Sequence, residues 1–355
     1  MSTTLILGGG PAGCAAAITL ARAGHPVLLI ERDAEVREKV CGEFLGGDAQ
    51  ALLAKLGLDV WALGGVPITR GGLGAGTREA SFDLPFRACG LPRLTLDAAL
   101  LRAAALAGAE VRRGVTALEA MPGWHVRLSD GSELSSVRLL LATGKHELRG
   151  LSRGQRGGSL GLKLPLTGVD TGGAILLLAC AGGYAGLQPR PNGGLGGGAN
   201  LCAALDPAMA IVAREAGAFL DHIRAGSALA RRALASAQPV LARPLAVGGV
   251  PYGWLHRGGG PAGLFRLGDQ AAVIPSLCGD GIAMALDSGI RAAAAILAEQ
   301  TPAQHHAAWA ARVAGPMRMA GGIAALIGRA PGLLVAGAGV APGLARYAAG
   351  RMRVV

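Results

Sequence analysis

Thr3-Thr4-Leu5-Ile6-Leu7-Gly8-Gly9-Gly10-Pro11-Ala12-Gly13-Cys14 is the stretch that decides the fold. Its first five residues are an apolar, β-prone run. An alanine-rich helix follows from Cys14 to Ala23, and a second apolar run, Pro26 to Ile30, ends on Glu31. The order is strand, glycine loop, helix, strand and acid, which is one βαβ unit. Each residue type has a physical reason. Gly8 permits the tight turn, Gly10 lets backbone approach a pyrophosphate, and Gly13 lets the helix pack closely. Pro11 and Ala12 are the loop residues between the last two glycines, and the helix that follows has free N–H groups and a positive dipole end that suit phosphate. Glu31 stands where a carboxylate can accept hydrogen bonds from a ribose diol. A dinucleotide site is therefore expected.

The chain carries its own control. The same string, GGGPAG, recurs at Gly258 to Gly263. There a short strand, Leu264 to Leu267, follows it, and without a helix N-terminus there is no phosphate cradle. It reads as a turn between strands.

At 355 residues the chain can bury a large core in one or two closely joined domains. The net charge of +11 comes with scattered arginines, only four lysines and 12 aromatic residues. No basic–aromatic interleaving of the kind that stacks bases is present, which argues against a nucleic-acid partner. The six cysteines are dispersed without a metal-ligand or disulfide pattern, so no metal site is expected and a reducing cytoplasm fits best. The apolar stretches Gly172 to Leu187 and Ala330 to Ala345 are too short and too interrupted to span a bilayer.

Along the chain, Asp48 to Leu56 and Ala98 to Ala107 are predicted helices, and Val66 to Phe86 a hairpin. Val111–Leu118, Trp124–Leu128 and Val137–Ala142 are predicted strands. The middle, Gly150 to Tyr252, changes character. Strands are predicted at Ala174–Ala179, Gly183–Leu187 and Gly198–Ala203, then a helical pattern over Ala208–Ala235. After Leu264–Leu267 and Gly268-Asp269 comes Pro275 and Gly279-Asp280-Gly281, opening a helix from Ile282 to Glu299. The tail from Pro302 is apolar helix broken at Pro331 and Pro342. Arg32, Arg37 and Lys39, on the polar connection after Glu31, are candidate partners for an anionic cofactor.

Three separated stretches together resemble one family. The Gly8–Gly13 loop with Glu31, the helix-opening Arg93 with Asp97, and Gly268-Asp269 with Pro275 and Gly279-Asp280-Gly281 are similar to FAD-dependent oxidoreductases with the p-hydroxybenzoate hydroxylase fold. The resemblance covers nearly the whole chain. It implies an α/β architecture: a Rossmann-type FAD-binding domain (1–70, 90–150 and 256–300), an inserted β-sheet substrate domain (71–89 and 151–255) and a helical C-terminal tail (301–355). FAD is expected to be held without a covalent bond, and NAD(P)H to act as a transient reductant. Asp269 would accept from a ribityl hydroxyl, Arg93 would lie near the flavin, and Gly279, Gly281 and Ile282 would aim N–H groups at the flavin N1/C2 carbonyl edge.

The family has two close branches, aromatic monooxygenases and geranylgeranyl reductases. Lys39-Val40-Cys41-Gly42 resembles the K-x-C-G motif of the second, which makes Cys41 a candidate proton source. Asp280, in the flavin turn, is the other catalytic candidate. Gly183-Tyr184-Ala185-Gly186-Leu187-Gln188-Pro189 resembles that branch's G-Y-x-W-x-F-P segment, but Gly186 replaces the tryptophan and Gln188 the phenylalanine. The A-D-G motif of the monooxygenases appears as Ala142-Thr143-Gly144, without its aspartate. The preferred expectation is a monooxygenase acting through a flavin C4a-hydroperoxide on a hydrophobic aromatic or polyketide-like substrate. The alternatives are saturation of isoprenoid double bonds and a flavin-binding protein without turnover. Core packing is the expected role of the tail, with peripheral membrane contact as the alternative.

Overall fold

The computed structural model describes residues 3–121, 123–155, 157–191 and 198–354. The first third of the chain holds β1 (Thr4–Leu7), α1 (Pro11–Arg22), β2 (Val27–Glu31), β3 (Phe44–Leu45), α2 (Gly47–Lys55), β4 (Val66–Ala75), β5 (Arg78–Gly90) and α3 (Arg93–Leu106). Short strands follow: β6 (Glu110–Arg113), β7 (Ala117–Met121), β8 (His125–Leu128), β9 (Glu133–Ser135) and β10 (Leu139–Leu141). The middle supplies β11 (Ser159–Thr167), β12 (Ala174–Cys180), β13 (Gly183–Arg190), β14 (Gly198–Leu205), α4 (Ala216–Gly226), α5 (Ala228–Ala233), β15 (Gln238–Pro239) and β16 (Leu245–Val250). The remainder is β17 (Leu264–Arg266), α6 (Gly281–Leu297), α7 (Pro302–Arg329), α8 (Pro331–Val340) and α9 (Pro342–Arg351).

Two main sheets organise these elements. A five-stranded parallel sheet runs β17-β10-β1-β2-β6, and its βαβ crossovers bury both faces. That burial is why β1 and β10 read as unbroken apolar runs. α1 and α6 cross so closely on this sheet that a Cβ on Gly289 would stand 2.2 Å from the Ala12 carbonyl oxygen. The second sheet has nine strands in the order β15-β11-β14-β13-β12-β4-β5-β3, with β16 pairing β11. One face of it packs on α4 through Ala185, Leu187, Phe219 and Ile223. The opposite face, carrying Tyr184, Gly186 and Gln188 of β13, looks onto the cavity described below.

Several expectations shift. β3 belongs to the second sheet, and β4 pairs β5 from Val66 and β12 from Arg70, so that sheet draws on residues before 71. Gly114 takes a left-handed φ of 76° and divides the predicted Val111–Leu118 strand into β6 and β7. The Ala208–Ala235 pattern breaks into a 3-10 turn, α4 and α5, because Ser227 leaves the helix in extended conformation and caps the next one. β11 and β16 were not expected. β11 is apolar on both faces except at Lys163, so it lacks the alternation that marks a half-exposed strand. The repeated GGGPAG string is followed by β17, as a turn between strands would be. The tail divides at Pro331 and Pro342 as expected. Among the described residues no single helix is long and apolar enough to cross a membrane.

Candidate active site

Two helix N-termini open onto one cavity of about 1200 Å3. Every expected cofactor residue except Gly13 and Arg37 borders it. The glycines of the first loop do different jobs. Gly8 has φ 111°, and a Cβ there would lie 2.3 Å from the Ala142 carbonyl oxygen. A Cβ on Gly13 would lie 1.9 Å from the Gly8 oxygen, so this residue closes loop on helix and stays outside the cavity wall. A Cβ on Gly10 would meet only the end of Arg93, 3.9 Å away, and would project into open space. That space is the cradle in which a side chain would displace a phosphate, so the loop fits a dinucleotide. Glu31 is buried, and its carboxylate accepts from Gly9 N at 2.6 Å and Asp33 N at 3.1 Å. These bonds fix the side chain at the cavity wall.

The second N-terminus is that of α6. Gly279 adopts φ 66° against the Phe44 ring, and Gly281 faces open cavity. Gly268, with φ 55°, carries Asp269, whose carboxylate accepts from Lys145 Nζ at 3.1 Å. Asp269 attracts the Lys145 ammonium strongly enough to raise its pKa. Lys145 stands just beyond the Ala142-Thr143-Gly144 segment, so a cation occupies the neighbourhood of the missing aspartate. Lys39 pairs with Asp33 at 2.8 Å, and Arg32 meets the His146 ring at 2.8 Å. Arg37 is exposed on the loop and does not border the cavity.

Arg93 makes a two-pronged pair with Asp97, both bonds at 2.8 Å. Burial opposes its charge, but Asp97 and the neighbouring Cys41 outweigh that and raise its pKa. Cys41 thus sits beside a permanent cation on the cavity wall. Its backbone is held from the second sheet, where Cys202 donates to the Cys41 carbonyl at 2.9 Å and Asn200 Nδ2 donates to the Cys41 and Gly42 carbonyls. Cys278 instead donates to Pro275 O at 2.9 Å. Burial pushes the thiols of Cys202 and Cys278 up to about 12, which keeps both protonated.

Asp280 requires a correction. Its carboxylate turns away from the cavity and accepts from Arg353 Nη1 at 2.8 Å and Val354 N at 2.9 Å. The backbone of the α6 turn faces the site, while the side chain fastens the segment after α9. It anchors structure and does not reach a reacting group.

A buried charge cluster went unread in the sequence. Lys163 of β11 and Arg190 of β13 converge on Glu38 and Glu43, which flank Cys41. Lys163 is fully buried, and Glu43 and Glu38 hold its pKa up against desolvation. Glu43 has a left-handed φ of 62°, rare for a non-glycine residue, and also accepts from Arg93 N at 2.9 Å. One strained residue therefore ties the Cys41 loop, α3 and the second sheet together. A lone lysine inside Leu160-Gly161-Leu162-Lys163-Leu164 was the available signal, because a buried lysine demands partners.

Comparison with known proteins agrees with this geometry. Residues 3–69 match the family model of glucose inhibited division protein A. A menaquinone reductase of Mycolicibacterium smegmatis is 27% identical over 338 residues, covering 86% of this chain and 78% of that protein. The chain has the fold of, and is similar to, the FAD-dependent oxidoreductases of the p-hydroxybenzoate hydroxylase fold. A menaquinone reductase of Mycobacterium tuberculosis is 33% identical over 165 residues, 43% of this chain, and the match spans only 40% of that relative's length. The flavin-dependent brominase Bmp2 shares the fold at a TM-score of 0.77 and 19% identity, over 98% of this chain and 92% of its own. PqsL of Pseudomonas aeruginosa, solved with 2-aminobenzoylacetate, does so at 0.72 and 16%, over 92% and 97%.

Proposed function

We propose that this flavoenzyme reduces a carbon–carbon double bond in an isoprenoid lipid, a quinone such as menaquinone being the nearest candidate. The observation that carries the reading is the shape of the cavity wall. From Cys41 and the two helix N-termini it continues to Ile323 and Leu326 of α7, Leu334 and Ala338 of α8, and Leu344 and Ala348 of α9. A dinucleotide occupies the glycine-lined end, and the apolar remainder suits a long hydrocarbon chain. This order of preference reverses the one drawn from the sequence.

FAD, when bound, supplies the two-electron reduction. The protein supplies the rest. The α1 N-terminus and Gly10 would hold phosphate, Glu31 would orient ribose, and the α6 N-terminus would favour negative charge on a reduced ring. The Cys41 S–H supplies the proton that balances hydride addition, and Arg93 beside it stabilises the sulfur after the proton has left. Apolar walls exclude water from that step. NAD(P)H is retained as the proposed source of electrons.

The rim of the cavity suggests how a lipid enters. Leu333 and Leu344 border the cavity and are also 66% and 67% exposed. Val340 and Tyr347 are exposed nearby, and Arg346 and Arg351 lie on the same α9. Apolar residues with interspersed arginines are the chemistry of an amphipathic segment on an anionic bilayer. Peripheral membrane contact through α8 and α9 belongs to this proposal.

A monooxygenase acting on a hydrophobic aromatic or polyketide-like substrate is the second reading. Gly186 and Gln188, at positions where the reductase branch has aromatic residues, widen the cavity beside Cys41 enough for a ring. One experiment separates the two. FAD-loaded enzyme is incubated with a geranyl-bearing naphthoquinone and NAD(P)H, with and without oxygen, and products are read by mass spectrometry. After any quinol has been reoxidised in air, a product still heavier by two hydrogens, with the gain in the geranyl fragment and formed without oxygen, supports the reductase. An oxygen-dependent product heavier by one oxygen atom overturns it in favour of the second reading.

A further inference from the structure

The face of the second sheet that meets the cavity holds one side chain with nothing to do in the protein. Gln188 is 2% exposed and borders the cavity, and neither its Oε1 nor its Nε2 has a hydrogen-bond partner among the described residues. A buried carboxamide without partners is destabilising, and native structures keep such groups when a bound species completes them. Its place in the sheet narrows what that species is. Strand alternation puts Gln188 on the face shared with Tyr184 and Gly186, and register puts it directly opposite Asn200. Asn200 in turn donates to the carbonyls of Cys41 and Gly42. Gln188 is therefore a neighbour of the Cys41 loop, at the reactive end of the cavity and away from the hydrocarbon end.

Tyr184, another polar side chain on this face of β13, is already engaged. Its hydroxyl is 3.0 Å from Ser276 Oγ and accepts from Leu277 N at 3.2 Å. On the same face, Lys163 and Arg190 are paired with Glu38 and Glu43, which border the cavity. That leaves the Gln188 carboxamide as an unsatisfied donor and acceptor on the substrate side.

We infer that Gln188 is a specificity-determining residue that hydrogen-bonds an oxygen of the lipid headgroup, a quinone carbonyl or the corresponding hydroxyl. The inference rests on the isoprenoid-lipid reading above and extends it, because it distinguishes a quinone from a prenyl chain with no polar ring. The Nε2 amide donates to a carbonyl oxygen, while Oε1 accepts from a hydroxyl, so both redox states of a quinone are accommodated. The same exchange explains why a large aromatic side chain is absent at this position: it would fill the space of the headgroup and offer no hydrogen bond.

The test uses FAD-loaded enzyme and two probes, a naphthoquinone carrying a geranyl chain and the matching geranyl-naphthalene without carbonyl oxygens. Affinities are read from flavin difference spectra for the wild type, Gln188→Met and Gln188→Leu. Methionine keeps the volume and removes the amide. The wild type is expected to prefer the quinone by about tenfold or more, the worth of a buried hydrogen bond. Both variants should bring the ratio to about one by weakening the quinone alone. Flavin content should be unchanged, and the melting temperature unchanged or raised, since an unpartnered amide has been removed. A quinone preference that survives in both variants, or equal binding of both probes by the wild type, overturns the role of Gln188 and leaves the lipid reading standing. A wild type that binds neither probe overturns both.

Discussion

Acid should destabilise this protein through two adjacent buried histidines that do not border the cavity. His305 and His306 lie in the first turns of α7, buried against Phe265 of β17. Desolvation lowers His305 to about 4, with Arg291 adding to it. Desolvation also lowers His306 to about 3, with His256, His305 and Arg266 adding to it. His306 Nε2 accepts from the backbone N–H of Arg266 at 2.9 Å, a role open only to the neutral ring. In the unfolded chain both rings titrate near 6.5. Their contribution is therefore fully present above that pH and is lost as the pH falls from there towards the folded values. A tenfold difference in proton affinity is worth about 1.4 kcal/mol, so at about pH 5 each histidine withholds roughly 2 kcal/mol and the pair about 4. The assay is urea unfolding of the FAD-loaded protein at about pH 8, 6.5 and 5, comparing wild type with the His305→Gln/His306→Gln double variant. Glutamine can still accept the Arg266 bond. The wild type should lose about 4 kcal/mol more than the double variant between the extremes. Equal losses would refute the reasoning, since other titrating groups are common to both.

Three further outcomes follow from the same structure. Gly10→Ala should fold normally yet bind FAD at least about tenfold more weakly, whereas Gly13→Ala should fail to accumulate as folded protein, because its Cβ meets backbone at 1.9 Å; flavin content and melting curves distinguish the two. Cys41→Ala should keep its flavin and lose turnover of the geranyl-naphthoquinone by about a hundredfold, within the range of a lost general acid; unchanged turnover would remove Cys41 from the mechanism. Lys163→Met leaves two buried carboxylates with Arg190 alone and should cost about 3–5 kcal/mol in denaturant unfolding, with part recovered in Lys163→Met/Glu43→Gln.

The sequence was most legible where backbone chemistry restricts residue choice. Gly8, Gly10, Gly13 and Gly279 are glycines for reasons of space and φ, and the break-points at Pro331 and Pro342 follow from a missing N–H. Side-chain direction was not legible. Asp280 belongs to a turn that faces the cavity, but its carboxylate points to Arg353, and no local pattern distinguishes those orientations. Nor does a sequence show pairs that form at long range. Glu38 and Glu43 meet Lys163 and Arg190 only because the second sheet folds over the Cys41 loop. Gln188 stood out in the sequence as a damaged motif, and only its burial at the cavity wall turns that departure into a candidate contact.

The parallel sheet also fixes an order of birth. β1 is flanked by β2 and β10, yet the edge strand β17 starts at Leu264, so the sheet cannot be completed until most of the chain has been made. The second sheet waits as well, because β4 pairs in parallel with β12, about a hundred residues later. At about 5–20 residues per second, the roughly 250 residues separating β1 from β17 take about 13–50 s to synthesise. Until then β10 has only β1 beside it, and β4 lacks its β12 neighbour for about a hundred residues. A nascent chain of this protein thus carries an unfinished sheet edge while the rest is synthesised, and its yield in a foreign host should respond to translation speed.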